Sequence, residues 1–241
     1  MHDKPIAYDA YEVLAEAYAA HIDTKPHNAY YERPATLSLL PEVNGKNVLD
    51  AGCGPGVYSE WLLARCAIVV ALDASPKMVA LAKKRLGAQA DVRVADLRNG
   101  FPFLESASFD VVLSPLVLDY IEDWRPVLAE FNRLLRADGR LVFSVAHPFF
   151  DFTYHKSDDY FATERVSAEW RGFHPVRVQM PCFRRSLAEV INPLIESGFQ
   201  VETILEPKPT PEFELADPKH YAELSRQPCF IFIRARKKSV Y

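Results

Sequence analysis

The stretch Val48-Leu49-Asp50-Ala51-Gly52-Cys53-Gly54-Pro55-Gly56 constrains this chain more than any other. An apolar strand reading ends in an acid, three alternating glycines follow, and Val57 to Ala64 then carries the apolar spacing of a helix. Glycine has no Cβ, so the backbone can take positive φ and a ligand can lie directly against it. The unit is therefore strand, glycine turn, helix, a layout suited to a nucleoside ligand.

Strand and helix readings alternate on either side of this unit. Strands are predicted at 47–50, 68–73, 92–95, 109–114 and 140–145, with helices at 58–65, 76–86 and 126–135. Val69-Val70-Ala71-Leu72 and Val111-Val112-Leu113 lack polar alternation, as expected of parallel strands covered on both faces. At 241 residues the simplest reading is a single α/β domain with room for a substantial core.

Ahead of the core, Tyr8, Tyr11, Leu14, Ala15, Tyr18 and Ile22 recur at helical spacing, and a second short helix is predicted at 34–40. Residues 147–182 are rich in aromatics, histidine and charge but show no sustained period. That is long for an ordinary connection, and the aromatic content disfavours disorder, so the segment reads as a cap over a site. A helix at 187–197, closed by Gly198, and two late strands at 200–206 and 229–235 complete the chain. The expected organisation is N-terminal covering helices over 1–40, a binding core over 41–146, the cap over 147–182, and a C-terminal helix with two strands over 183–241.

Formal charge is −4, and no basic face suggests a phosphate-backbone partner, so no nucleic acid is expected. Cys53, Cys66, Cys182 and Cys229 form no C-x-x-C pair, which argues against a structural zinc and against a disulfide framework. The head of the chain lacks an apolar leader and no run is long enough to span a bilayer. A cytoplasmic protein without a membrane partner is expected.

Three carboxylates, Asp50, Asp73 and Asp96, fall at the ends of successive predicted strands at intervals of 23 residues. In an open parallel sheet those carboxyl ends line one crevice. Asp73 is placed to accept from both ribose hydroxyls of a nucleoside and Asp96 from an exocyclic adenine amine.

Leu49-Asp50-Ala51-Gly52-Cys53-Gly54-Pro55-Gly56, Leu72-Asp73-Ala74-Ser75-Pro76-Lys77-Met78 and Ala95-Asp96 together resemble the class I S-adenosylmethionine-dependent methyltransferases. Phe109 to Ser114 and Leu134 to Leu141 are similar to that family's fourth and fifth strand regions, and the nearest likeness is to the methyltransferase type 11 branch. The resemblance implies a Rossmann-like seven-stranded sheet with the last strand antiparallel, S-adenosylmethionine as cofactor, and a small-molecule methyl acceptor. It implies Asp50, Gly52 and Gly54 at the methionine part, Asp73 at the ribose, Ala74 and Met78 at the adenine ring, and Asp96 with Leu97 at its edge. Ser114 would lie near the transferring methyl. Asn28 to Pro34 resembles the segment that closes over the cofactor in this branch, with Arg33 for the methionine carboxylate and Tyr18 or Tyr31 shielding the sulfonium.

A base matters mainly when the acceptor is a hydroxyl, and His147, directly after the fifth strand, is the leading candidate; His155, His174 and Asp119 rank behind it. A dinucleotide dehydrogenase fits poorly, because the glycine spacing is G-x-G-x-G and not G-x-G-x-x-G. A base-directed nucleic-acid methyltransferase would place an Asn/Asp-Pro-Pro-aromatic loop where this chain has Ser114-Pro115-Leu116-Val117. A module that binds the cofactor without turnover remains compatible with the same residues.

Overall fold

In the computed structural model, which describes residues 4–238, the tyrosine-bearing segment forms helix α1 (Tyr8–His21). Met1, His2 and Asp3, part of the head read above as lacking a leader, lie outside the described residues. A π-helical turn at Asn28–Glu32 runs straight into α2 (Arg33–Ser38). The core then alternates as expected: β1 (Asn47–Ala51), α3 (Val57–Leu63), β2 (Ile68–Asp73), α4 (Pro76–Leu86), β3 (Asp91–Val94), β4 (Phe109–Pro115), α5 (Arg125–Leu134) and β5 (Leu135–Ala146). Local chemistry sets these limits. Ser75 caps α4 by accepting the Met78 N–H on Oγ at 3.1 Å, and Pro76 occupies the first helical position, where no amide donor is required.

Past Ala146 the structure departs from the sequence reading. The segment without a sustained period holds a short helix, α6 (Pro148–Tyr154), and an antiparallel hairpin, β6 (Glu164–Phe173) with β7 (Val176–Arg184). The hairpin pairs from Glu164 opposite Arg184 to Phe173 opposite Val176 and forms a two-stranded sheet of its own. Then follow α7 (Leu187–Glu196) and β8 (Phe199–Leu205). Two short helices, α8 (Pro211–Ala216) and α9 (Pro218–Leu224), occupy the proline-rich connection to β9 (Phe230–Lys237).

The main sheet has seven strands in the order β3-β2-β1-β4-β5-β9-β8, with β9 antiparallel to both neighbours and the other pairings parallel. Each face carries its own apolar core. Phe131 and Leu134 of α5 and Val190 and Leu194 of α7 pack on one, while Leu62 of α3, with Val79 and Ala82 of α4, packs on the other. Fully burying such a side chain contributes roughly 1.5–3 kcal/mol. Because β1 sits between β2 and β4, the crossovers leave it in opposite directions, and a crevice opens beyond the carboxyl ends at that point. Among the described residues no helix is long and apolar enough to cross a membrane.

Candidate active site

The turn after β1 is built around two glycines with different reasons to be glycine. Gly52 stands at φ 91°, and a Cβ there would meet Val117 Cγ2 at 2.2 Å. Val117 belongs to the loop after β4, where Leu116 is held at φ 55° with its amide donating to the Ser144 carbonyl at 2.9 Å. Gly54, at φ 53°, has nothing within 4 Å of where a Cβ would stand, so its backbone faces open space. Its N–H donates to Asp73 Oδ2 at 2.9 Å, and the Ser75 N–H donates to Oδ1 at 2.8 Å. Those two amides fix the Asp73 carboxylate at the end of β2 while leaving each oxygen a further lone pair.

A cavity of about 550 Å³ opens over this turn, within the size range of small-molecule sites. Of the residues singled out from the sequence, Tyr18, Arg33, Gly52, Gly54, Asp73, Ala74, Met78, Asp96 and Leu97 line it. Asp96 caps the turn after β3 and already accepts Arg98, by the backbone N–H at 3.0 Å and by the guanidinium at 2.8 Å. Arg33 donates through Nη2 to the Ile22 carbonyl at 2.7 Å, whereas its Nε is buried without a partner among the described residues. An orphaned guanidinium N–H on a cavity wall is matched by a carboxylate. Tyr18 stacks on Phe173 of the hairpin with ring centroids 4.8 Å apart, which joins the N-terminal helix to the cap.

Four expectations require correction. Asp50 is fully buried beneath the glycine turn and not on the cavity wall; Oδ2 accepts the Ser59 hydroxyl at 2.6 Å, Oδ1 has no partner, and burial pushes the carboxyl up to about 7. Ser114 is also fully buried, its Oγ donating to the Ala51 carbonyl at 3.0 Å, so it ties β4 to β1 and leaves Pro115 to Val117 to face the cavity. Tyr31 packs between Phe213 and Phe230, and its hydroxyl accepts the Cys229 N–H at 3.1 Å. It anchors the C-terminal region and shields nothing in the cavity.

His147 is the fourth. It is 5% exposed, lies outside the cavity wall, and caps α6 by accepting the Phe149 N–H on Nδ1 at 3.3 Å. Accepting there assigns the ring proton to Nε2, which donates to Glu206 Oε1 at 2.6 Å. A histidine pinned on both nitrogens is a structural tie. His147→Ala is therefore expected to cost about 1 kcal/mol of stability through the lost cap and to leave cofactor affinity and turnover within twofold of wild type. Denaturant melts beside methyl-transfer assays decide it, since a loss of turnover at unchanged stability would return the base role to His147.

Several residues in or beside the cavity carry little sequence signal. Glu12 of α1 accepts the Ser75 hydroxyl at 2.5 Å and so docks the N-terminal helix on the start of α4. Glu32 lies in the π-helical turn and accepts Thr36 at 2.7 Å, Tyr58 at 2.5 Å and Ser144 at 2.6 Å. Tyr11 and Tyr120 share a hydroxyl hydrogen bond of 2.7 Å between α1 and the loop after β4. Asp151 lines the same cavity, as do Asp119 and His155, which the sequence names as candidate bases.

The fold, the glycine turn over open space, the preset Asp73 and an Arg33 Nε without a partner among the described residues together suit S-adenosylmethionine. The chain belongs to the class I S-adenosylmethionine-dependent methyltransferases, in the type 11 branch, and a methyltransferase-domain family model matches residues 49–143. It is 31% identical over 232 residues to an uncharacterized protein of Haemophilus influenzae, spanning 87% of this chain and 88% of that one. It superposes with a TM-score of 0.69 on the crystal structure of an S-adenosylmethionine-dependent methyltransferase from Mesorhizobium loti, at 28% identity over 86% of this chain and 97% of the other. A malonyl-[acyl-carrier protein] O-methyltransferase of Enterobacter lignolyticus is 34% identical over 142 residues, 59% of this chain and 54% of that protein. The chain thus spans only about half the length of that relative.

Proposed function

We propose that this methyltransferase acts on a small-molecule acceptor enclosed in the cavity, through an oxygen or nitrogen nucleophile. One observation carries the reading: the cavity that holds the cofactor residues continues without a break between α1, α6 and the β6–β7 hairpin, where Tyr11, Tyr120, Trp170, Phe150 and Met180 line it. When bound, S-adenosylmethionine supplies a methyl group on a sulfonium that departs as a neutral thioether, so the leaving side needs no acid. The chain's own contribution is to orient and to exclude water. Holding the two reactants at near-attack distance can remove roughly 7–11 kcal/mol of barrier. Asp73 and Arg33 fix the cofactor's two polar ends, while the aromatic walls confine the acceptor.

A protein-bound acyl group is the second reading, favoured by the partial likeness to malonyl-[acyl-carrier protein] O-methyltransferases. The experiment is label transfer from methyl-tritiated S-adenosylmethionine to a small-metabolite fraction and, separately, to malonyl-loaded acyl carrier protein. Label in low-mass products is expected. Label confined to the carrier protein would replace the small-acceptor reading with the acyl one, and no transfer to either would favour the binding module.

A further inference from the structure

The acceptor end of the cavity holds a carboxyl that nothing in the cofactor site uses. Asp151 lies on α6, is 8% exposed and lines the cavity, and its carboxyl receives no hydrogen bond from any described group. Asp119, in the turn after β4, lines the same space; its Oδ2 accepts the Ala146 N–H at 3.0 Å.

The groups around Asp151 are Asp119, Cys182 of β7 and Cys229 ahead of β9, with the Arg184 charge behind, and His155 at the end of α6 itself lines the same cavity. Arg184 is fully buried and spent on Glu164 at 2.8 Å and on the carbonyls of Asp159, Tyr160 and Ala162. Arg185 donates to the Ile121 and Glu122 carbonyls from outside the cavity wall. Burial, and then the Arg184 charge, hold His155 below its ordinary value and so disfavour its cationic form. This end of the cavity therefore offers carboxyl groups and ring faces; of the described guanidiniums, Arg184 acts on Asp151 and Arg185 on Asp119 from behind the wall, and neither lines the cavity.

Resting on the small-acceptor methyl transfer proposed above, we infer that the acceptor is a primary or secondary amine, and that the Asp151 carboxylate, with Asp119 beside it, binds its ammonium form and takes its proton. A buried acidic pair among Tyr11, Tyr120 and Trp170 attracts a cation through charge and ring faces, and repels an acceptor that is itself a carboxylate. Burial, with the Asp119 charge adding to it, pushes the Asp151 carboxyl up to about 8. A bound ammonium favours the ionised carboxyl, and burial makes that carboxylate a stronger base than an exposed one, so it suits an ammonium proton better than the far less acidic proton of an alcohol.

The step balances. The ammonium gives one proton to Asp151; the freed nitrogen lone pair forms the N–C bond as the C–S bond breaks; the sulfonium becomes a neutral thioether and the positive charge passes to the methylated nitrogen. The proton on Asp151 returns to solvent when the product leaves.

The test uses the full chain with methyl-tritiated S-adenosylmethionine. The probes are alkyl and arylalkyl primary amines from butylamine to 2-phenylethylamine and tyramine, each matched to the alcohol and the carboxylate of the same skeleton. Transfer to an amine at least tenfold above its alcohol and carboxylate is expected. Asp151→Asn should lose that transfer by about a hundredfold while calorimetry shows cofactor affinity within twofold of wild type, which also reports that the variant is folded. Transfer to the alcohols or carboxylates instead, or to none of the probes by protein that binds the cofactor, overturns the amine assignment. Undiminished transfer by Asp151→Asn overturns the role of that carboxyl. Wild-type protein that fails to bind S-adenosylmethionine counts against the methyl-transfer reading itself.

Discussion

Replacing Asp73 by alanine is expected to raise the dissociation constant for S-adenosylmethionine by roughly two to four orders of magnitude. The carboxylate is fixed by the Gly54 and Ser75 amides at 2.9 and 2.8 Å, so it meets the two ribose hydroxyls without reorganisation. Hydrogen bonds to a charged group contribute roughly 1.5–3 kcal/mol each, and losing two of them corresponds to about 3–6 kcal/mol. The substitution also frees the Gly54 amide, loosening the turn on which the cofactor rests. Calorimetric titration measures the effect, and an unchanged dissociation constant would remove Asp73 from the ribose site. Asp73→Asn should fall between the two, since one acceptor oxygen remains.

The largest expected loss of stability is at Glu32. Its carboxylate is 2% exposed and takes hydroxyl donors from α2 (Thr36), α3 (Tyr58) and β5 (Ser144), so a single side chain pins the N-terminal segment to the sheet and to a helix. Burial raises its pKa, and the three hydroxyl donors oppose that shift. Glu32→Ala leaves those hydroxyls unsatisfied around a hole and is expected to cost about 3–5 kcal/mol, the scale seen when one member of a buried charged network is removed. For a chain of this size that lowers the melting temperature by roughly 10 °C. Chemical denaturation and thermal melts of the apo protein test it. A midpoint within 2 °C of wild type would mean that the hydroxyls find other partners and that Glu32 is not the pin.

The core between residues 47 and 146 is legible in the sequence because its physics is local. Doubly covered parallel strands must be apolar throughout, and a turn pressed against a ligand must be glycine, so Val69 to Leu72 and Gly52 to Gly56 declare themselves. The site residues at strand ends are legible for the same reason, which is why Asp73 and Asp96 line the cavity. What failed was rotation. Ser114 and His147 lie one residue to the wrong side of Pro115 and Ala146, which do face the cavity, and successive residues of a strand point to opposite faces.

The hairpin went unread for a different reason. Val166, Ala168 and Trp170 alternate with Ser167, Glu169 and Arg171, and Val176, Val178 and Met180 alternate with Arg177 and Gln179, so the period of two is present. It is diluted by charged residues because one face meets water and the other meets only a small cluster, so the apolar contrast is weak. Asp151 could not be weighted from sequence, since one acid in a short aromatic helix reads as an ordinary polar position until its neighbours are known.

Leu14 and Ala7 of the N-terminal segment form a small apolar cluster with Phe173, Val178 and Met180 of the hairpin, separate from the two clusters that bury the faces of the main sheet. The walls around the proposed acceptor therefore hold one another across a long separation in sequence, through Tyr18 on Phe173 and Tyr11 beside Trp170, and owe little to the sheet beneath. Grafting the hairpin alone onto another scaffold would leave α1 facing strangers, whereas moving α1 and the hairpin together would carry this wall over intact, and a preference for one acceptor would follow only if Asp151 of α6 and Asp119 moved with it.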